Sequence, residues 1–260
     1  MRNYIFVTLL ISFATHAENA KPGDYISFVA CPVVRDTTTV PCWYGEYRGV
    51  NYFLGIQQDI GADWYPPQLK HKVLVEGIIS DEQVCGATKL DDIHTSVLPE
   101  LSLECNTILP AEPSILAPHA ERGPGPNNEE PGNRPPRPRP PPIRPPFSKR
   151  EFTLYYDFEG VQIYNREFTA LRQAINYATA SKAKSLNAIV YRGSALLSSG
   201  ETIYETEDRV RERALGIEKW LASVDLSDKT KISVRIDQKP FKASGKNDYL
   251  NRRVELIVIP

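Results

Sequence analysis

Between Tyr25 and Glu104 the chain is built from short runs rich in Val, Ile, Tyr, Phe and Thr, separated by polar turns. The runs are Tyr25–Val34, Thr39–Tyr47, Val50–Gln57, His71–Ser80 and Ile93–Glu104, and none has a helical period. They predict five β-strands. The run HKVLVEGIIS (71–80) carries apolar residues on both faces, the pattern of a central strand. Five strands within residues 18–108 match the size of a small, OB-like barrel, so a mainly-β N-terminal domain is expected. That fold alone does not choose among saccharide, nucleic-acid and protein ligands.

A different pattern follows in residues 151–260. Phe152–Phe158 alternates like a strand, and Leu186–Tyr191, Ile232–Ile236 and Arg253–Ile259 are further short apolar strands. Glu167–Lys182 sets Phe168, Leu171, Ala174, Ile175 and Ala178 at helical spacing, and Glu205–Ala222 does the same with Val210, Ala214, Ile217 and Leu221. The predicted order is β-α-β-α-β-β. An α+β domain with helices on one face of a mixed sheet satisfies it.

The stretch between them, 109–150, holds most of the chain's 22 prolines. Its core, NRPPRPRPPPIRPP (Asn133–Pro146), has too few amide donors to enter a sheet or helix and predicts an extended polyproline II linker. Arg134, Arg137, Arg139, Arg144, Lys149 and Arg150 make it basic, which suits either a solvated spacer or an arm resting on anionic polymers or headgroups.

The N-terminus has the form of a secretory signal peptide over residues 1–17. Arg2 precedes the apolar run Tyr4–Ala14, and Thr15-His16-Ala17 supplies a small-residue cleavage site. That run is too short to span a bilayer, and no transmembrane segment is expected. Export agrees with the cysteines. Cys31, Cys42, Cys85 and Cys105 all lie in the first region, and an even count in an exported domain predicts two disulfides. Cys31–Cys42 and Cys85–Cys105 are the favoured pairs because each brackets a hairpin; the other connectivities stay open. Zinc is not expected, since the spacing C-x-x-C is absent.

With 31 basic and 32 acidic residues, the chain offers no electrostatic case for a nucleic-acid partner. It has no G-x-S-x-G, no H-E-x-x-H and no phosphate-cradling glycine loop, so neither an active site nor a cofactor is expected. His71 and His94 are isolated and read as filler. Trp64-Tyr65-Pro66-Pro67 is a candidate exposed patch.

The segment Asn251-Arg252-Arg253-Val254-Glu255-Leu256-Ile257 resembles the closing NRRVEL strand of the OmpA-like, peptidoglycan-associated domain family. Arg213-Ala214, Ile217 and Leu221 reproduce that family's R-A-x-x-V-x-x-x-L register, and Tyr156-Asp157-Phe158 resembles its F-D-F. The resemblance covers residues 151–260. It implies that Arg213 receives the carboxylate of a peptidoglycan stem peptide; lying next to Ala214 at the edge of the helix stripe, its guanidinium is expected to emerge at the rim beside the 192–204 loop. The family's partner aspartate, in G-x-T-D, has no match. Tyr191-Arg192-Gly193-Ser194-Ala195-Leu196-Leu197-Ser198-Ser199-Gly200 stands there instead, with Glu201, Glu205 and Asp208 as possible substitutes.

The function implied is that of a periplasmic, non-enzymatic envelope protein, associated with the cell wall or outer membrane. Its OmpA-like domain would hold peptidoglycan and tether the β-rich domain to other envelope proteins. The alternative is a scaffold subunit of an envelope or secretion assembly whose OmpA-like domain has lost the ligand. The loop 192–204 separates the two: a carboxylate brought to Arg213 favours the first, an apolar loop buried by a neighbour the second.

Overall fold

A computed structural model describes residues 20–57, 67–118, 142–163, 165–224, 226 and 229–260. The expected signal peptide, Trp64–Pro66 and most of the proline-rich core lie outside the described residues.

Seven strands, not five, form the first sheet. They are β1 Tyr25–Ala30, β2 Pro32–Arg35, β3 Cys42–Tyr47, β4 Val50–Ile56, β5 His71–Val84, β6 Ala87–Leu101 and β7 Thr107–Leu109, in the order β1-β5-β6-β4-β3-β2-β7. The first predicted run splits at Cys31, next to Pro32, whose missing N–H interrupts a ladder. β5 and β6 extend through polar residues to a two-residue turn, Cys85-Gly86, both at positive φ (54° and 76°), as a tight hairpin requires.

The sheet is not the closed OB-like barrel that its size suggested. Its end strands β1 and β7 are not paired with each other. It is nevertheless curled. In a flat sheet, five spacings of about 4.8 Å would set β1 and β2 roughly 24 Å apart. Only Cys31 separates them in the chain, so the sheet must bend round to bring its two ends together. Ile26, Phe28, Trp43, Tyr52, Leu54, Val73 and Val75 fill the inside of the bend.

The disulfides are Cys31–Cys105 and Cys42–Cys85, which corrects the favoured pairing. The ladder gives the reason. In β2–β3, Arg35 faces Cys42 while Pro32 faces Gly45, which leaves Cys31 and Cys42 about four residues, ~13 Å, out of step. Cys85 and Cys105 lie beyond opposite ends of the long β6. The observed bonds instead tie the β1–β2 joint to the approach to β7, and the β3 start to the β5–β6 turn.

The second sheet holds β8 Arg150–Tyr155, β9 Ser185–Tyr191, β12 Lys231–Asp237 and β13 Arg253–Ile259 in the order β12-β9-β13-β8. β12 runs parallel to β9, and β13 antiparallel to β9 and β8. Helices α1 (Asn165–Ser181) and α2 (Glu207–Ala222) pack on it, which gives the predicted β-α-β-α-β-β order. Leu171, Ala174, Tyr177 and Ala178 of α1 and Val210, Ala214, Ile217 and Leu221 of α2 meet Leu186, Ala188, Val190, Val254, Leu256 and Val258. Phe168, expected in the stripe, is instead partly exposed against Trp220. An insertion without counterpart in the prediction follows β9: the hairpin β10 (Ser194–Leu196) and β11 (Thr202–Tyr204).

The two sheets touch. Val73 and Val75 of β5 point into the first core, and Leu74 between them points out to Phe158, Ala195 and Leu197. The two-faced apolar pattern of HKVLVEGIIS thus serves two packing layers. Fully burying side chains such as these contributes on the order of 1.5–3 kcal/mol each. Ser198 N donates to Ser27 O (2.7 Å) and Phe158 N to Ser96 Oγ (2.8 Å). The ends of 109–150 are also packed. Ile115 and Ala117 lie against the Cys42–Cys85 cluster, and Ser148 bonds to the Tyr177 hydroxyl.

Candidate functional site

Helix α2 starts at Thr206, whose hydroxyl accepts from Arg209 N (3.4 Å). Arg213 follows two turns later. It was expected at the rim, but it is 1% exposed. The helical period explains this, because Arg213 is three residues after Val210 and four before Ile217, which puts it on the buried stripe itself.

Arg213 is held on all sides by this chain. Nη2 donates to Glu205 Oε1 (2.6 Å) and Nη1 to Glu205 Oε2 (3.2 Å), the parallel fork of an arginine–carboxylate pair. Nε and Nη2 donate to Gly160 O (2.9 and 2.7 Å), and Nη1 also reaches Tyr191 O (3.5 Å). The Tyr156 ring lies 4.5 Å from the guanidinium carbon. A guanidinium has five N–H groups, and five contacts receive them. Glu205 is equally occupied: its oxygens also accept from Glu159 N (3.1 Å) and Gly193 N (2.7 Å). A buried pair costs little only when its remaining lone pairs and protons are bonded in this way.

A second buried pair stands beside the first. Arg252 Nη2 donates to Glu76 Oε2 at 2.6 Å, and both side chains are 1% exposed. Burial pulls the Arg252 guanidinium down, but Glu76 and, more distantly, Glu205 hold its pKa above the ordinary value. Gly193 lies between the two pairs. A Cβ there would fall 2.4 Å from Arg252 Cγ and 2.9 Å from Glu205 Oε2, so only glycine fits.

Two more acids set the frame. Glu159 receives Thr206 N (2.5 Å) and Oγ1 (2.9 Å), fixing the start of α2; burial raises its pKa, against those hydrogen bonds. Buried Asp248 receives Leu196 N (3.0 Å) and Gly245 N (3.0 Å), which ties down the β10–β11 hairpin. All four cysteines are in disulfides, and among the described residues no group of three or more His, Cys, Asp or Glu could hold a metal. His71 bonds to Leu98 O (2.9 Å), and His94 stacks on Tyr249.

No model of a known protein family matches the chain, and no curated protein matches it. Part of the chain is similar to OmpA-like and MotB-like structures. The OmpA-like domain of FopA1 from Francisella tularensis subsp. tularensis SCHU S4 is 15% identical at a TM-score of 0.33, over 43% of this chain and 73% of that one. A MotB-like protein from Desulfovibrio vulgaris is 11% identical at a TM-score of 0.33, over 43% of this chain and 76% of that one.

The residues that carried the sequence resemblance therefore stand on their own geometry. In β13, Val254 and Leu256 enter the core, while Arg253 and Glu255 bond to each other (2.9 Å) on the other face and Glu255 accepts from the Tyr191 hydroxyl (2.8 Å). The 192–204 segment leads directly into Glu205, the carboxylate that meets Arg213; its apolar Ala195 and Leu197 are buried as well, but against Leu74 of this same chain rather than by a neighbouring protein. Glu201 and Asp208 do not reach Arg213; Asp208 pairs with Arg211 (2.7 Å). Sequence reasoning missed Glu76, Arg252 and Gly193. A charge inside a two-faced apolar run was the available signal for Glu76, since such a group must find a partner.

Proposed function

We propose that this chain is an exported, non-enzymatic envelope protein in which the OmpA-like unit is a structural scaffold locked onto the β-rich unit, rather than a holder of peptidoglycan through Arg213. One observation carries this reading: every N–H of the Arg213 guanidinium is directed at Glu205, Gly160 or Tyr191 of the same chain. A stem-peptide carboxylate would have to displace Glu205, a carboxylate that is already desolvated and fully bonded. The signal-like N-terminus and the two disulfides support an oxidising compartment. The apolar contact between Leu74 and the β10–β11 hairpin supports one packed body presenting its outer surfaces to other envelope proteins.

The test is co-sedimentation of the oxidised chain with purified peptidoglycan sacculi at moderate salt. The chain is expected to remain in the supernatant. Saturable pelleting that is competed by a soluble muropeptide carrying diaminopimelate would overturn the proposal and restore the peptidoglycan-holding reading.

A further inference from the structure

The edge strand β12 reads Lys231-Ile232-Ser233-Val234-Arg235-Ile236-Asp237, and its only ladder among the described residues is with β9. On its outer side no strand pairs with it among the described residues, and beside α2 Arg211, Ala214, Leu215, Glu218, Val234 and Ile236 line a groove of about 340 Å³. Apolar side chains are left in water here: Leu215 is 54% exposed and Ile232 40%. An open edge with an apolar flank invites another strand unless the sequence forbids it.

The sequence of β12 selects one partner. Paired antiparallel with itself about Val234, the strand places Lys231 opposite Asp237, Ile232 opposite Ile236 and Val234 opposite its own copy. Opposite charges directly across an antiparallel pair stabilise it, and like charges destabilise it. Slipping the pair by two residues either way places Lys231 against Arg235, or Arg235 against Arg235. A one-residue slip turns Ile232, Val234 and Ile236 to the wrong face. One register is thus favoured and its neighbours are penalised. The helix above repeats the arrangement. Arg211 and Glu218 lie equally far on either side of Ala214 and Leu215 in the same groove, so an antiparallel copy of α2 would set Arg211 against Glu218 twice.

We propose that two copies of this chain associate through β12, joining their four-stranded sheets into one continuous sheet with α2 beside α2. The contact is isologous and closes on itself, as a two-fold interface must. It does not depend on whether Arg213 meets peptidoglycan.

The test is the solution mass of the full oxidised chain over a concentration series, by light scattering and sedimentation equilibrium. A dimer is expected. Lys231→Asp should raise the dimer dissociation constant at least about tenfold, because it converts two cross-strand attractions into repulsions. Lys231→Asp combined with Asp237→Lys should recover most of that loss. Lys231 is exposed and Asp237 half-buried, accepting from Lys239 N (3.2 Å). Circular dichroism of the variants should match wild type, as should thermal unfolding at protein concentrations where wild type is also monomeric, which separates lost pairing from lost folding. A monomer at all concentrations, a dimer indifferent to Lys231→Asp, or a double variant no better than the single with its fold intact would each overturn the proposal.

Discussion

Glu76 and Arg252 are 176 residues apart in the chain, yet their charged atoms stand 2.6 Å apart, with both side chains withdrawn from water. One lies on β5 of the first sheet, and the other directly precedes β13 of the second. Removing one partner leaves an uncompensated buried charge. Glu76→Ala is expected to destabilise the protein by on the order of 3–5 kcal/mol. Glu76→Leu with Arg252→Met should recover part of that, because an apolar pair needs no partner. Urea unfolding followed by tryptophan fluorescence and circular dichroism measures both. Wild type should give coincident transitions, and the single variant should separate them, since this pair joins the two sheets.

Gly193 gives a sharper steric test. Gly193→Ala must displace the Arg252 stem or the Glu205 carboxylate and should cost about 1–3 kcal/mol or more, as overpacking does. Gly216 in α2 provides the control. A Cβ there meets nothing within 4 Å, so Gly216→Ala should stabilise by roughly 0.5–1 kcal/mol through helix propensity. Opposite signs from the same chemical change, read from denaturation midpoints, are the expected result.

The contact between the sheets is expected to respond to acid as well. His94 stacks on Tyr249 at 3.5 Å between ring centroids. Burial lowers its pKa below the ordinary 6.5; Asp92 and Glu76 oppose that shift and Arg252 adds to it. The folded state then binds fewer protons than the unfolded chain, so stability is fully present above 6.5 and falls as pH drops through the lowered value. Melting temperatures measured between about pH 5 and pH 8 should decline on the acid side. His94→Phe keeps a ring on Tyr249 and should remove that component of the slope.

Non-reducing peptide mapping should recover Cys31 with Cys105 and Cys42 with Cys85. The bonds close segments with sequence separations of 74 and 43. Chain entropy assigns about 4 kcal/mol to each on this model. Replacing Cys31 and Cys105 together by alanine is expected to lower stability by up to that amount and to leave the Cys42–Cys85 bond intact.

The C-terminal elements were legible because their stripes are clean: Val210, Ala214, Ile217 and Leu221 can face only one way. The same stripe should have placed Arg213 inside. A guanidinium on a buried face is credible only once its acceptors are known, and Gly160 O and Tyr191 O are backbone groups that no side-chain pattern reveals. The hairpin 194–204 was illegible because three-residue strands have no period to detect. The pairing of Cys31 depended on the β2–β3 register, which sets Arg35 rather than Cys31 opposite Cys42. The barrel expectation came from counting runs, and the count could not show that one run supplies strands near both ends of the sheet.

β13 is the last strand in sequence but lies inside its sheet, between β9 and β8. A chain that emerges from its N-terminus therefore presents β8 long before anything can pair with it. Glu76 waits for the same closing segment, since Arg252 directly precedes β13. Until that segment arrives, the chain carries an unpaired strand edge and an unmatched carboxylate, the features that make partly folded intermediates prone to aggregation. β9 and β12 can pair without β13, but β8 joins the sheet only through it, and the residue before β13 also ties the second sheet to the first. A single lesion near β13 therefore reaches both sheets at once, because β8 pairs only with β13 among the described residues and Arg252 beside it holds Glu76.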